Sequence, residues 1–143
     1  MDVDQPHVIH SHEAWSSRSV TLVCGPPASG KSTLAESIHQ RTVEYEHFAD
    51  SDTFREQLRR YGKAVFTVGQ RSTPDAAVVR CAASAADRAH HERLCRPART
   101  IVLLVSAAEC HRRIDERNRP TADGEHDAVD EWWSTWIDEN GSA

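Results

Sequence analysis

Lysine is nearly missing from this chain: of seventeen Lys and Arg residues in 143, only Lys31 and Lys63 are lysines. A forked guanidinium is a poor substitute for a compact point charge, so a lysine kept against such a bias marks a position that needs one. Long apolar runs are missing too. The longest, IVLLV at 101–105, falls far short of the ~20 residues that cross a bilayer, and the acidic start MDVDQ lacks the basic residues and apolar centre of a secretory signal. Both absences lead to the expectation of a cytoplasmic chain with no membrane partner. Excess positive charge is lacking as well. At a formal net charge of −5, no global basic field recruits nucleic acid, and any such contact falls to local arginines. Cys24, Cys81, Cys95 and Cys110 have no close paired spacing, which argues against a disulfide framework and leaves them as reduced, buried small hydrophobes. With 38% apolar residues, the chain has material for one modest core and one domain.

Histidine is the exception to this scarcity, at nine. The fold can gather His90, His91, Cys95, Cys110 and His111 into one group, and His7, His10 and His12 into another. Neither group has the Cys-x2-Cys or helical His-x3-His spacing that fixes a metal without help from the fold, so a zinc site is not expected.

Residues 25–33 read GPPASGKST. Gly25, four residues, then Gly30-Lys31-Ser32 is the spacing of a phosphate-binding loop. Gly30 admits a backbone conformation that a Cβ would obstruct, so that successive N–H groups and the following helix N-terminus point at an anion. Lys31 supplies a compact cation to the outer phosphates, and the Ser32 hydroxyl is a hard oxygen ligand for Mg²⁺. Gly25, Pro26, Pro27, Ala28, Ser29, Gly30, Lys31, Ser32 and Thr33 are therefore expected to bind ATP, with Mg²⁺ on Ser32. The flanks agree: Val20, Leu22 and Cys24 alternate with Thr21 and Val23 in a buried strand, and Leu34 and Ile38 share a helix face.

The remaining pattern predicts an α/β fold, a small three-layer sandwich with a parallel sheet. A mobile tail over 1–17 precedes a single domain at 18–143. The expected elements are a strand at 19–24, a helix over 31–43, a strand near 47–50 and a helix over 54–61 stopped by Gly62. A long helix follows over 73–94, capped by Thr73 with Pro74 in its first turn and Asp75 at its positive end. A strand at 100–105 and helices over 107–118 and 127–138 complete the chain. Such folds commonly hold Mg²⁺ through water from an apolar run ending in Asp, and neither AVFTV at 64–68 nor IVLLVS at 101–106 ends that way.

A substrate would meet the segment FADSDTFREQLRRY. Thr53 and Glu56 have capping-box spacing, so a helix beginning there has Phe54, Leu58 and Tyr61 as its buried stripe. Asp50 and Asp52 then stand at the carboxyl end of a parallel strand, where open α/β sheets bind ligands. Asp52 is placed to take a proton from an attacking hydroxyl, and Arg55 to grip an anionic group on the same substrate. The plainer alternative is a pair of solvated loop acids and a helix cap. Farther on, Ala107, Cys110 and Ile114 make a packed stripe that leaves Arg113 and Arg117 one turn apart on another face, near Arg112 and Arg119. Glu109–Arg113 and Arg112–Glu116 pairs would equally suit a solvated, salt-bridged helix. Val129, Trp132, Trp133, Trp136 and Ile137 fit a core-facing helix better than a base-stacking surface.

With these residues in view, the chain resembles the small P-loop kinases. GPPASGKST is similar to the loop of phage polynucleotide kinases and related nucleoside or metabolite kinases. Asp52-x-x-Arg55 resembles the element whose Asp is the base in polynucleotide 5′-hydroxyl kinases. Phe48-x-Asp50-Ser51-Asp52 is similar to shikimate-kinase sequences, whose acids hold Mg²⁺ through water and the acceptor hydroxyl. In these relatives arginines after the 100–105 strand belong to a lid over the phosphates, which implies that role for Arg113, Arg117 and Arg119. The glycine-rich segment of shikimate kinases is absent, and 70–99 reads as nearly all helix, so one strand of full-length relatives is expected to be missing. The layout, with its terminal DEWWSTW, most resembles short phage-encoded ATP-binding proteins.

Three functions remain open. The first is transfer of the ATP γ-phosphoryl to a hydroxyl, with a nucleotide or polynucleotide 5′-end as leading acceptor and a small metabolite as the alternative. The second is a nucleotide-binding hydrolase or accessory module whose protein partner reads the nucleotide state, favoured by the missing metal-holding acid. The third, a zinc-dependent nucleic-acid binder, rests on the scattered His and Cys alone.

Overall fold

Five consecutive buried residues, Val20 to Cys24, mark the middle of the sheet. The computed structural model describes residues 5–44 and 51–141, with the backbone alone at 51–54. Strands β1 (Pro6–Ser11), β2 (Ser19–Cys24), β3 (Thr42–Val43), β4 (Asp75–Arg80) and β5 (Arg99–Leu103) form one sheet in the order β1-β5-β2-β4-β3. The three pairings among β5, β2, β4 and β3 are parallel, and β1 closes the edge antiparallel to β5. Helices α1 (Lys31–Ile38), α2 (Ser51–Gln70), α3 (Ala85–Cys95), α4 (Ala107–Arg117) and α5 (Ala122–Asn140) cover it.

Period-two alternation divides the core into two layers. Val23, Ala77, Val79 and Leu103 meet Ala35 of α1 on one face. On the other, Val20, Leu22, Cys24, Val78 and Val102 meet α2 through Val65 and Val68, α4 through Cys110 and Ile114, and α5 through Val129 and its tryptophans. This is the expected three-layer α/β sandwich. The tryptophans are core: Trp132 Nε1 donates to Cys81 O at 2.7 Å and Trp133 Nε1 to Val105 O at 3.1 Å, satisfying the polar end of each ring. Ile137, expected on the same face, is exposed. No described helix is long and apolar enough to cross a membrane.

Several elements depart from the sequence reading. The segment expected as a tail contains β1, a half-exposed edge strand whose mixed Val, Ile and His content hides its alternation. The 73–94 stretch is not one helix. Asp75–Arg80 is a central strand, β4, and α3 starts only at Ala85, capped by Ser84 Oγ accepting from Asp87 N at 3.0 Å. Alanine misled the reading: Ala76 and Ala77 are fully buried, small enough for helices to pack closely on a sheet whose neighbours override helix propensity. The strand expected to be missing is therefore present. Helix α1 stops at Ile38 rather than 43, because His39 turns extended and its ring joins Asp75 and Thr21 Oγ1. The strand expected near 47–50 lies outside the described residues, and pairing occurs at β3 instead. Helix α5 begins at Ala122, five residues before the expected start at 127.

Helix α2 starts at Ser51, so Thr53 is inside it rather than capping it, and it runs on through Gly62 to Gln70. Leu58, placed on its buried stripe, is exposed; Tyr61, Val65 and Val68 form the stripe. Arg18 closes the helix end by donating to Val68 O and Gly69 O. At Gly69 a Cβ would lie 1.9 Å from Leu94 O, so backbone meets backbone there. Gly69→Ala is expected to cost about 1–3 kcal/mol through overpacking. Gly62→Ala, whose Cβ would meet nothing within 4 Å, is expected to add up to about 1 kcal/mol. Urea unfolding of both variants, shifting in opposite directions at constant m, checks the pair.

Candidate functional site

The loop at 25–30 leaves the carboxyl end of β2, in the middle of the parallel strands, where such sheets bind ligands. Gly25 N donates to Cys81 O at 3.2 Å, tying the loop to the end of β4, and Ser29 N donates to Pro26 O at 3.2 Å within the turn. Ala28 at φ +64 and Gly30 at φ +91 are both left-handed, the alternation that turns successive N–H groups toward one point. Gly30 also opens α1 with no side-chain cap, which leaves the first-turn N–H groups for an anion. Gly25 is fixed by space: a Cβ there would lie 2.6 Å from Ser29 Oγ and 3.0 Å from Leu103 O.

Around this loop lies a cavity of about 580 Å³. Residues 27–33 line it together with Glu44, Arg80, Arg117, Arg119 and Glu125. Lys31 Nζ donates to Pro26 O at 2.7 Å. Ser32 Oγ donates to Glu44 Oε2 at 2.5 Å. Arg113 does not line the cavity but braces it from outside, with Nη1 donating to Ala28 O at 3.0 Å and Nε to Glu109 Oε1 at 3.0 Å. Arg112 bridges Glu109 and Glu116. The hydrogen bonds from Arg112 and Arg113 draw the Glu109 carboxyl down to about 2, so it is ionised throughout the physiological range and keeps Arg113 aimed at the loop.

The structure thus brings Arg117 and Arg119 to the phosphate loop and gives Arg113 a bracing position. Asp50 lies outside the described residues. Asp52 is placed by its backbone in the first turn of α2, and Arg55 is exposed on that helix and is not among the described residues lining the cavity. Glu44, Arg80 and Glu125 were missed. Glu44 follows the β-branched pair Thr42-Val43, an apolar run ending in an acid at its shortest length, hidden when α1 was carried through to 43. Arg80 ends β4, and its guanidinium lies 5.5 Å from the centre of the Tyr61 ring. The strands flanking β2 therefore end in Arg80 and Leu103, neither an acid.

The residues present fit a nucleotide with its metal. Ser29 Oγ is buried with no hydrogen-bond partner among the described residues, a polar atom left over inside the loop. Ser32 Oγ and Glu44 Oε2 are two adjacent hard oxygens, the donor type that Mg²⁺ prefers. Cys24, at the end of β2, contributes no chemistry: burial pushes its thiol far above the usual range. The four cysteines are unbridged, and burial likewise raises the Cys95 thiol to about 12. His90, His91, Cys95, Cys110 and His111, which the fold could have gathered, do not form a metal cluster among the described residues; the His91 ring binds Asp87 O at 2.9 Å.

A family model described as AAA domain matches residues 20–95, more than half of the chain. The match takes in β2, the phosphate loop and everything through α3, and stops before the arginines of α4. No curated protein and no solved structure matches the chain.

Proposed function

We propose, from the premise that the chain belongs to the AAA domain family, that it is an ATP-dependent phosphotransferase acting on a hydroxyl, with a nucleotide or polynucleotide 5′-end as the leading acceptor. The observation that carries this reading is the cavity in which the phosphate loop, Glu44, Arg117 and Arg119 meet. It has acid for a metal and cations for transferring charge, which a bare phosphate-binding turn would lack.

Lys31 leaves Pro26 O to meet the outer phosphates, and the loop N–H groups hold the rest of the chain of phosphates. Mg²⁺, where bound, neutralises charge on the phosphate oxygens, and Ser32 with Glu44 would hold it, directly or through water. Asp50 adds a second acid from the segment before α2. Asp52 takes the proton from the acceptor hydroxyl, and Arg55 grips the acceptor's anionic group. Arg117 and Arg119 stabilise charge that develops on transfer, while Arg113 holds the loop in shape. Glu44→Gln is expected to raise the Mg²⁺ concentration needed for half-maximal nucleotide binding by roughly tenfold, the worth of one charge-assisted contact. A Mg²⁺ titration monitored by a fluorescent ATP analogue checks this.

A second reading, an accessory module that binds nucleotide and hydrolyses it slowly or not at all, is favoured by Arg80 at the end of β4, where an acid would serve hydrolysis and transfer alike. Incubation with γ-labelled ATP and Mg²⁺ beside a 5′-hydroxyl oligonucleotide, free nucleosides and small hydroxyl metabolites separates the two. Label in an acceptor supports transfer. Label in free phosphate supports hydrolysis, and tight binding with neither supports the accessory module.

A further inference from the structure

A second polar cluster lies at the opposite edge of the parallel strands, where β1 meets the start of β5. A bulge between Val8 and His10 shifts the register of β1 there, and bulges re-aim side chains. Beyond it His10 and His12, two apart, bring their ring centres to 3.7 Å. Both rings converge on Glu92 of α3. Glu92 Oε2 lies 3.0 Å from His10 Nδ1, 2.5 Å from His12 Nε2 and 2.6 Å from Thr100 Oγ1. His12, Glu92 and Thr100 are buried, while His10 is exposed.

Three polar atoms crowd one carboxylate oxygen that offers two lone pairs. A cation among them relieves that crowding and neutralises a buried charge, which is costly when unpaired. The ligand atoms all lie within 4.8 Å of one another. A tetrahedral ion with bonds of about 2.0–2.1 Å needs edges of about 3.4 Å, so the two short edges need to open by less than about 1 Å. Two imidazoles and one carboxylate suit the zinc class, whereas Mg²⁺ and Ca²⁺ want a shell of oxygens. Thr100, donating to Oε2, orients the carboxylate as outer partners of metal ligands do. The main chain at His12 is fixed independently, its backbone N–H donating to Ala98 O at 2.9 Å.

We propose that His10 Nδ1, His12 Nε2 and the Glu92 carboxylate bind one divalent transition-metal ion of the zinc class, pinning the edge strand β1 to α3. A cavity of about 560 Å³ borders His10, Glu92, Arg88 and Trp136, which gives water access to a fourth position. The site shares no residue with the nucleotide cavity and does not depend on the activity proposed there.

The test uses the full chain without a histidine tag, stripped by chelator and titrated with Zn²⁺ against a chromophoric competitor, without nucleotide. One equivalent is expected, and it should raise the Tm. His10→Ala and Glu92→Gln should each weaken binding by at least about tenfold and abolish the Tm rise. His10 is exposed, so its variant keeps the test valid should Glu92→Gln fail to fold. His111→Ala is the control, because His111 and His126 make another close imidazole pair, Nδ1 to Nδ1 at 2.6 Å. It should leave Zn²⁺ binding unchanged. No uptake by the wild type, uptake surviving His10→Ala, or loss of uptake in His111→Ala alone would each overturn the proposal.

Discussion

Lys31→Ala is expected to weaken ATP binding by roughly ten- to a hundredfold, since charge-assisted contacts are worth about 1.5–3 kcal/mol each. The fold should survive. Lys31 is the first residue of α1, only partly buried, and its one described hydrogen bond, to Pro26 O, is a contact within the loop. Lys31→Arg is not expected to rescue binding, because a planar fork does not reach the outer phosphates as a point charge does. Arg117 and Arg119, which line the same cavity, are not expected to compensate, since they come from the end of α4 and the turn after it rather than from the loop. Isothermal calorimetry on variants with wild-type circular dichroism decides the matter. Equal affinity in a folded Lys31→Ala protein would remove the phosphate-loop reading.

The sequence was most readable where local chemistry and tertiary environment agreed. GPPASGKST needs particular residues at particular places whatever surrounds them, and the strand before it and the start of the helix after it lie where their patterns put them. The α4 stripe of Cys110 and Ile114 was equally plain, because a helix on a sheet keeps a 3.6-residue period. DAAVVR failed for the opposite reason. Its strand character comes from β2 and β3 on either side, and alone its alanines favour a helix. The candidate site was half legible. Arg117 and Arg119 could be named from a resemblance, but that Arg113 braces the loop through Ala28 O depends on how α4 packs, and Glu44 came into view only once α1 ended at Ile38. Glu92 was invisible as a partner for His10 and His12, because some eighty residues separate them in sequence.

Glu44 changes the weight of the objection to catalysis. The sequence offered no acid at the end of an inner strand, and the structure places Arg80 and Leu103 at the ends of the strands beside β2. An acid nevertheless reaches the serine of the loop from the end of β3. Under the proposed function Glu44, hydrogen-bonded to Ser32, serves the metal, and proton abstraction falls to a carboxylate nearer the acceptor.

Asp52→Asn is expected to lower phosphoryl transfer by about 10²–10⁴-fold while leaving ATP affinity almost unchanged. Helix α2 ends beside Arg18, ahead of β2, and passes Arg80 at the carboxyl end of β4 with Tyr61, so its first turn, with Asp52, extends beyond the carboxyl edge of the sheet, the edge from which the loop also leaves. Asparagine keeps the shape and hydrogen bonding of aspartate but cannot take a proton. Were Asp52 only complementing the positive end of α2, the change would cost no more than about 1 kcal/mol of stability and nothing in turnover. Asp50 is the control: as a metal-holding acid, its replacement by Asn should raise the Mg²⁺ requirement, as Glu44→Gln should and Asp52→Asn should not. The measurement is label transfer from γ-labelled ATP to a 5′-hydroxyl oligonucleotide and to free nucleosides, at several Mg²⁺ concentrations, for wild type and the three variants. A fully active Asp52→Asn enzyme would assign the base elsewhere. A wild type that binds ATP tightly yet labels no acceptor would make the chain a nucleotide-reading module, with Asp52 a helix-end residue.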